Sequence, residues 1–242
     1  KMGFNNPLEV KVDPGYQRIL DYWKSKGTKP TAAEAYQALM QQAENTKLEN
    51  CIYHKDVVDA MFRQVQTTET KPFNKTAVTA GTTIQAVNYD LGRNGYAYYD
   101  KDTANYYIST GGSRIPWNKG HVYRNDGVDI DASANGYYVS NFEEGEWLQY
   151  TFDAPKAGNY TLSLRVAADA AGAAVAVLPA ADKGAKITAL PNTGSLQNWQ
   201  TVQVEGVPLQ KGKNTLRIRA ENGEFNLSAI QFNKATKAGK RK

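Results

Sequence analysis

The sequence predicts a mainly β protein, an antiparallel β-sandwich preceded by an α-helical segment. Up to about residue 66, apolar residues recur at the spacing of an amphipathic helix, whereas from Thr82 they alternate with polar residues as in a strand. The alternating stretches are separated by turn signals such as "NG", "AG" and "KG", and no long helical pattern interrupts them. About 150 residues organised in this way are typical of a sandwich.

The helical segment, residues 1–66, is predicted to contain three amphipathic helices. In the first, Asp13 is a candidate N-cap followed by proline. In the second, Thr31 and Glu34 have the spacing of a capping box. The third, "KDVVDAMFRQVQ", carries its apolar residues at helical spacing. Three such helices could form a small bundle, or they could be the last helices of a larger domain.

The rest of the chain divides into three predicted regions. Residues 67–81, rich in threonine with one proline, are predicted to be a linker or domain boundary. Residues 82–233 form the predicted sandwich, in which stretches such as "YTLSLRV" and "LRIRA" alternate clearly. Residues 234–242, "KATKAGKRK", form a basic tail.

In the last predicted strand the alternation loses its phase. Phe225 and Leu227 do not fall on the same face as Ile230 and Phe232. A β-bulge, or a strand that begins after Leu227, would explain this shift.

The charge of the chain argues against a nucleic-acid binder. The 242 residues carry a formal net charge of +5, and the tail supplies five basic residues, which leaves 24 basic and 24 acidic residues elsewhere. A nucleic-acid partner requires basic groups spread over a docking face, so none is expected. The tail itself is interpreted as a solvated or vector-derived extension, or as a contact for an acidic partner.

Cysteine content and hydropathy constrain the setting of the protein. Cys51 is the single cysteine, so an internal disulfide bond is impossible. The sequence contains no run of 18 apolar residues, and we therefore expect no membrane span. The start, "KMGFNNPLEV", has no apolar signal segment, which fits a cytosolic chain or a mature or shortened piece of a larger secreted protein. The oligomeric state is left open.

Seven blocks in the predicted sandwich resemble carbohydrate-binding module family 6. They are "TIQAVNYD", "GYAYYD", "YRNDGVDI", "GYYVSNFEEGEWLQYTF", "AGNYTLSLRVA", "NTGSLQNWQTV" and "GKNTLRIRAENGEFNLSAIQF", in the order of the family, over residues 80–233. The resemblance implies a jelly-roll-like β-sandwich attached to a secreted or cell-surface polysaccharide-degrading enzyme of bacterial origin. It also implies a glycan cleft among the loops at one end, and in some members a second cleft on a sheet face.

The helical segment has a weaker likeness. "KPTAAEAYQALMQQAENTKLENC" and "VVDAMFRQVQTT" resemble helices that follow the barrel of a glycoside hydrolase. A complete barrel needs about 250 residues, so the segment would be the end of such a domain.

Five residues are candidates for carbohydrate binding, and the resemblance implies the role of two of them. Tyr137 stands at the position of the stacking aromatic and Asn226 at that of the hydrogen-bonding asparagine. The alternatives are an edge-strand tyrosine that packs on its neighbour and an asparagine that bonds its own turn. Tyr99, in the block "GYAYYD", is a further candidate. In the inserted stretch that ends at "YRNDGVDI", Trp117 and Tyr123 are candidates for a cleft wall, although this loop could simply pack on itself.

Two aromatic residues of the family blocks are expected to pack rather than to bind. Leu196 occupies the place where the family often has a second stacking tryptophan, so Trp199 in "QNW" is interpreted as a packing residue. Trp147, inside the strand "EWLQYTF", is also expected to pack.

A structural calcium ion is a further expectation from the resemblance. Family members ligate calcium near a first strand that reads Gln/Glu-Ala-Glu, but here Val87 replaces the second carboxylate. Oxygen ligands could come from four other carboxylates: Asp100, Asp102, Asp126 and Asp129.

The sequence offers no catalytic constellation. Glu143, Glu144 and Glu146 lie within four residues of one another beside a turn, too close in sequence to flank a glycosidic bond, and are interpreted as a solvated strand entry. The two histidines, His54 and His121, do not form a local metal motif. Together with the family resemblance, this predicts non-catalytic binding of a β-linked polysaccharide. Such binding would target an attached glycoside hydrolase to its substrate. The alternatives are the C-terminal portion of a hydrolase completed elsewhere, or a sandwich for protein adhesion.

Overall fold

The computed structural model describes residues 6–101, 123–179 and 184–234. The chain forms two compact units, Lys1–Val58 and Asp59–Lys242. None of the helices in the described ranges has the length and apolar character that crossing a bilayer requires.

The first unit is built on two α-helices, α1 (Pro14–Trp23) and α2 (Ala32–Asn45). Asp13 caps α1 by accepting a hydrogen bond from the Tyr16 backbone N–H, at 3.0 Å. Thr31 and Glu34 form the predicted capping box at the start of α2. The other elements are β1 (Leu8–Glu9), the 3-10 turn Leu48–Asn50, β2 (Ile52–Tyr53), which pairs with β1, and α3 (Lys55–Phe62), which spans the division between the units.

The second unit is an antiparallel β-sandwich, as predicted. Its strands are β3 (Thr83–Gln85), β4 (Tyr98–Tyr99), β5 (Ile130–Ser133), β6 (Gly136–Glu143), β7 (Trp147–Ala154), β8 (Gly158–Ala167), β9 (Ala174–Pro179), β10 (Lys186–Ala189), β11 (Gln200–Leu209), β12 (Gly212–Asn222) and β13 (Glu224–Lys234). One sheet has the order β10-β9-β12-β7-β4 and the other β11-β8-β13-β6-β5, with β3 also paired to β13. The strands within each sheet pair antiparallel.

The core lies between the two sheets and follows the predicted alternation. On β12, Leu216, Ile218 and Ala220 are fully buried, while the residues between them face outward. The opposite sheet contributes apolar side chains from β8 and β13, such as Leu164 and Phe232.

The phase shift in the last strand is a bulge. β13 is one continuous strand, and its pairing with β8 changes register between Leu227 and Ala229. One extra residue therefore lets Phe225 and Leu227 share the core with Ile230 and Phe232.

Residues 67–81, predicted as a linker, are part of the sandwich unit. Lys71 pairs with Leu91, and Ala77 bridges to Asp153 at the end of β7. Val78 is 0% exposed. The segment contacts the sandwich through single residues and not through a continuous strand, so its sequence does not alternate. The linker prediction was based on composition alone. Of the basic tail, the described ranges include its first residue, which is the last residue of β13.

Candidate functional site

The outward face of the five-stranded sheet carries two aromatic side chains opposite each other. Tyr99 on the edge strand β4 pairs with Trp147 on β7, and Trp147 pairs in turn with Arg219 on β12. The three residues therefore form a row across three neighbouring strands, at the usual strand spacing of about 4.8 Å.

Alternation places this row outside the core. Leu148 and its i+2 neighbours on β7 are buried, so Trp147 projects from the opposite face. On the edge strand, Tyr98 is buried against the core while Tyr99 is 41% exposed.

The row lies in an open groove of about 460 Å³. Its remaining lining comes from the turn before β7 and from the end of β12: Glu144, Gly145, Ala220 and Glu221. Arg219 and Glu221 form an ion pair, with Nε 2.9 Å and Nη2 2.5 Å from the same carboxylate oxygen. The groove thus combines aromatic surface with charged hydrogen-bond donors and acceptors.

A polar network holds the Trp147 side chain in place. Its members, Arg217 on β12 and Gln149 on β7, form the next residue pair of the sheet. The Arg217 guanidinium lies 4.0 Å from the centroid of the Trp147 ring, and its Nε donates to Gln149 Oε1 at 3.0 Å. Gln149 Nε2 donates in turn to Asp90 Oδ2 at 3.0 Å. Asp90 is buried and also accepts hydrogen bonds from the Thr151 backbone and hydroxyl, and burial raises the pKa of its carboxyl.

Glu146 connects the groove's two aromatic segments. One carboxylate oxygen accepts from the Lys101 backbone N–H at 3.0 Å, and the other from the Glu143 N–H at 2.9 Å. The residue is 6% exposed, and burial raises its pKa to about 7 against the opposing effect of these two bonds. The interpretation of this stretch as a solvated strand entry therefore holds for Glu143 and Glu144, which are exposed, but is wrong for Glu146.

A second aromatic surface contains two of the predicted binding residues. The rings of Tyr123 and Tyr137 are tilted against each other with centroids 4.8 Å apart. The centroid of the Phe73 ring lies 5.8 Å from that of Tyr123. The Tyr123 hydroxyl donates to Asn88 Oδ1 at 2.5 Å, and Tyr137 is exposed. Tyr137 thus packs on Tyr123, while Tyr138 packs on Trp199 instead.

Asn226 is 2% exposed and its amide is already engaged. Its oxygen accepts from the Asn141 backbone N–H at 3.1 Å, and its nitrogen donates to the Leu196 carbonyl at 2.8 Å. One N–H and one oxygen lone pair of this amide are not used by these two bonds, but the side chain is almost fully buried. Tyr137 lies near the start of β6, whereas Asn141, which contacts Asn226, lies near its end. In the β6–β13 pairing, Leu227 is opposite Val139, between these two residues.

Comparison with known proteins finds a family model that matches the second half of the chain. Residues 121–234 match the family model described as "Carbohydrate binding module (family 6)". This part of the chain is therefore similar to that family. The match begins in the segment before β5 and ends at the last residue of β13, so it covers most of both sheets.

One curated protein shares moderate sequence similarity with this chain. The clotting factor G alpha subunit of Tachypleus tridentatus is 30% identical over 115 residues, which are 47% of this chain and 16% of that protein. The chain therefore spans a small part of this curated relative.

Two solved structures are similar as well. The module from Cellvibrio mixtus lichenase 5A, in complex with cellotriose, is 25% identical and covers 65% of this chain and 100% of its own, with a TM-score of 0.43. The C-terminal module of a laminarinase from Zobellia galactanivorans is 27% identical and covers 44% of this chain and 88% of its own, with a TM-score of 0.41.

The five predicted site residues lie in different places. The structure brings Tyr123 and Tyr137 together, places Asn226 in a buried backbone contact, and puts Tyr99 in the sheet-face groove. Trp117 lies outside the described residues. The sugar-binding roles of these residues stay predictions.

Trp147, Arg219 and Glu221 were not predicted from the sequence to be binding residues, although they line the groove. The strand alternation held a signal for the first, because Leu148 and Tyr150 face the core and Trp147 must then face outward. The pairing of β12 with β7 and of β4 with β7 is a long-range property, so the meeting of these residues could not be predicted from local patterns.

The calcium expectation finds no ready ligand cluster among the described residues. In that part of the chain, no group of three or more histidine, cysteine, aspartate or glutamate side chains could hold a metal ion. Near the first strand, the Arg124 guanidinium donates to the carbonyls of Val87 and Tyr89 and to the Asp126 carboxylate. Those oxygens already face a cation. Asp102 lies outside the described residues, and calcium stays a prediction.

Proposed function

We propose that the family 6 module binds a polysaccharide without cleaving it, in the groove on the outward face of its five-stranded sheet. The observation that carries this proposal is the pairing of Tyr99 with Trp147, two solvent-facing aromatic residues opposite each other on neighbouring strands. Aromatic rings on a sheet face offer a surface for the apolar C–H face of a pyranose.

The polar lining of the groove suits sugar hydroxyls. Arg219 is a donor, Glu144 and Glu221 are acceptors, and all three line the groove beside the aromatic pair. A few polar groups placed around apolar surface are the usual composition of a small-ligand site. The open shape leaves room for a chain of sugars rather than enclosing one ring.

We further propose that the bound glycan is β-linked and that the module targets an attached glycoside hydrolase. Binding would raise the local concentration of the enzyme on its substrate, an effect that requires no new contact between enzyme and glycan. Such a protein acts where polymeric substrate occurs, and we therefore propose a secreted or cell-surface location.

The first unit supports an attached or completed hydrolase domain as a second proposal. Among its described residues, Ile19 and Ala38 are the buried apolar side chains, whereas many larger ones are exposed. The exposed set contains Leu8, Val10, Val12, Tyr22, Trp23, Tyr36, Leu39, Met40, Leu48, Ile52 and Tyr53. So much exposed apolar surface is typical of an interaction site, and fits the alternative that these helices are the C-terminal portion of a hydrolase.

Affinity electrophoresis of the full chain tests the binding proposal. The gels contain soluble β-glucans of different linkage, and cellotriose serves as a competitor. We expect retardation on at least one gel, its loss in Tyr99→Ala, and no release of reducing sugar. If the full chain migrates on every polysaccharide gel as it does on a gel without polysaccharide, binding is contradicted. Release of reducing sugar by the purified chain contradicts the non-catalytic role.

A further inference from the structure

We propose that Glu146 is a positioning residue of the sheet-face groove, which holds the segment carrying Tyr99 in register with Trp147. This inference rests on the proposed function. It assigns to a buried carboxylate a role in sugar binding, although Glu146 itself does not line the groove.

The carboxylate of Glu146 joins two segments that are distant in sequence. Lys101, two residues after Tyr99, donates its backbone N–H to one oxygen at 3.0 Å. Glu143, at the start of the turn that carries Glu144, donates to the other oxygen at 2.9 Å. Because Glu146 immediately precedes Trp147, one side chain connects the backbone on both sides of the groove.

The Tyr99 segment depends on such an anchor because its own pairing is short. β4 consists of two residues, and two residue pairs with β7 and a backbone bond from Gln149 to the Ala97 carbonyl set its register. A two-residue strand forms few hydrogen bonds, so the orientation of Tyr99 is weakly fixed by the sheet itself. Beyond the strand, the described contacts include the bond to Glu146, the Lys101–Glu143 ion pair, and bonds in both directions between the Asn94 side chain and the Asp100 backbone.

The chemistry of the anchor favours an ionised carboxylate. A carboxylate accepts hydrogen bonds at both oxygens, and such charge-assisted bonds are stronger than neutral ones. Protonation turns one oxygen into a hydroxyl, a poorer acceptor for one of the two backbone N–H groups. The charged groups nearest to Glu146 are the Lys101 ammonium and the Glu143 carboxylate, which lie 3.9 Å apart, and exposed Glu144 on the same turn.

The back of the groove shares this arrangement. The backbone N–H of Gly145 donates to the Ala220 carbonyl at 2.8 Å, and the Ala220 N–H donates to the Glu146 carbonyl at 2.9 Å. The turn is thereby tied to β12, which carries Arg219 and Glu221. If the Tyr99 segment moved away from Glu146, Tyr99 would be separated from Trp147, while the turn and β12 would stay in place.

The test compares Glu146→Gln with Glu205→Gln, which changes an exposed carboxylate on β11 in the other sheet. Titration calorimetry at pH 8 measures binding of cellotriose and of a soluble β-1,3-glucan to the full chain. Glutamine supplies one acceptor and presents its NH₂ to the second N–H. We expect affinity about tenfold lower than wild type, a loss equal to one hydrogen bond of about 1.4 kcal/mol, and no change in Glu205→Gln.

Two readouts separate positioning from a general loss of stability. The Lys101 amide should exchange with solvent faster in Glu146→Gln, whereas core amides of β8 should keep their protection. The affinity of the wild-type chain should fall as the pH is lowered through about 7, where Glu146 becomes protonated, and the variant should lack this dependence. The wild-type pH profile needs no variant that folds.

The outcomes distinguish the inference from the proposed function. If Tyr99→Ala abolishes binding but Glu146→Gln keeps wild-type affinity and the same pH profile, the positioning role is overturned and the groove stands. If Tyr99→Ala binds like wild type, the groove is not the glycan site, and the role of Glu146 in binding falls with it. Weaker binding together with faster Lys101 exchange and a flat pH profile supports the inference.

Discussion

The guanidinium of Arg217 lies 4.0 Å from the centroid of the Trp147 ring. It covers one side of the indole and leaves the rest of the ring to the groove. Because Arg217 is itself bonded to Gln149, and Gln149 to buried Asp90, the tryptophan is held by a chain of contacts along the sheet. Such a ring is pre-organised, and a ligand that stacks on it loses little additional freedom on binding.

Arg217→Ala should therefore weaken glycan binding although the side chain is not part of the groove lining. The variant removes a cation–π contact and frees the indole, and we expect a loss of about 1 kcal/mol in binding free energy. Titration calorimetry measures the effect. Arg165→Ala is the matched control, because Arg165 lies 5.7 Å from the ring of Trp199, outside the groove. Equal losses in both variants would contradict a specific role for Arg217.

Tyr99→Ala and Tyr137→Ala decide between the two aromatic surfaces. Loss of the Tyr99 ring should weaken binding by about 1–3 kcal/mol, the magnitude of a stacking and hydrogen-bonding contact. Tyr137 is equally exposed, at 41%, but packs on Tyr123, so its removal should leave affinity near that of wild type. The reverse pattern in calorimetry would place the glycan at the Tyr123–Tyr137 surface, as the family resemblance first implied.

Asn226→Ala should reduce stability more than a surface change does. The variant leaves the Asn141 N–H and the Leu196 carbonyl without their side-chain partner. Burying an unpaired polar group costs about 1–3 kcal/mol, and we expect urea unfolding to show a loss of that size. Asn222→Ala is the control, since exposed Asn222 makes a single bond to the Gly172 carbonyl. Similar stability of the two variants would contradict a structural role for the Asn226 amide.

Glu146 should make the sandwich less stable as the pH rises. Its folded-state pKa, about 7, lies above the ordinary value of 4.5, so the native state binds the proton more tightly than the unfolded state. The stabilisation is complete below about pH 4.5 and is lost as the pH rises through about 7. A shift of this size corresponds to about 3 kcal/mol.

Unfolding in urea at pH 5 and pH 8 measures this dependence. Burial also raises the pKa values of Asp90 and Glu224, so their contributions have the same sign and persist in the variant. The difference between wild type and Glu146→Gln isolates Glu146. Parallel pH profiles for the two proteins would contradict the assignment. Affinity is expected to rise over the same pH range in which stability falls.

Much of the fold could be predicted from local patterns, because capping and alternation depend on neighbouring residues. The Thr31–Glu34 capping box and the bulge near Leu227 were both present in the sequence as spacing. The groove depends on which strands become neighbours. Tyr99 and Trp147 are brought together by β4–β7 pairing, and no local pattern encodes that register. The burial of Asn226 likewise results from contacts with residues 141 and 196, both far away in sequence.

The segment 67–81 provides a test of where the sandwich begins. If this segment were a free linker, truncating one of its side chains would change stability by no more than about 0.5 kcal/mol. Val78 is instead 0% exposed, and its backbone N–H donates to the Asp153 carbonyl at 2.7 Å.

We therefore expect Val78→Ala to lower the free energy of unfolding by about 2 kcal/mol, because the variant loses buried methyl groups and leaves a cavity. Val65→Ala makes the same chemical change at a residue that is 81% exposed, and it should be close to neutral. Urea unfolding of both variants, followed by tryptophan fluorescence, gives the comparison. Val78→Ala as stable as Val65→Ala would show that the segment contributes nothing to the core and that the sandwich begins after it.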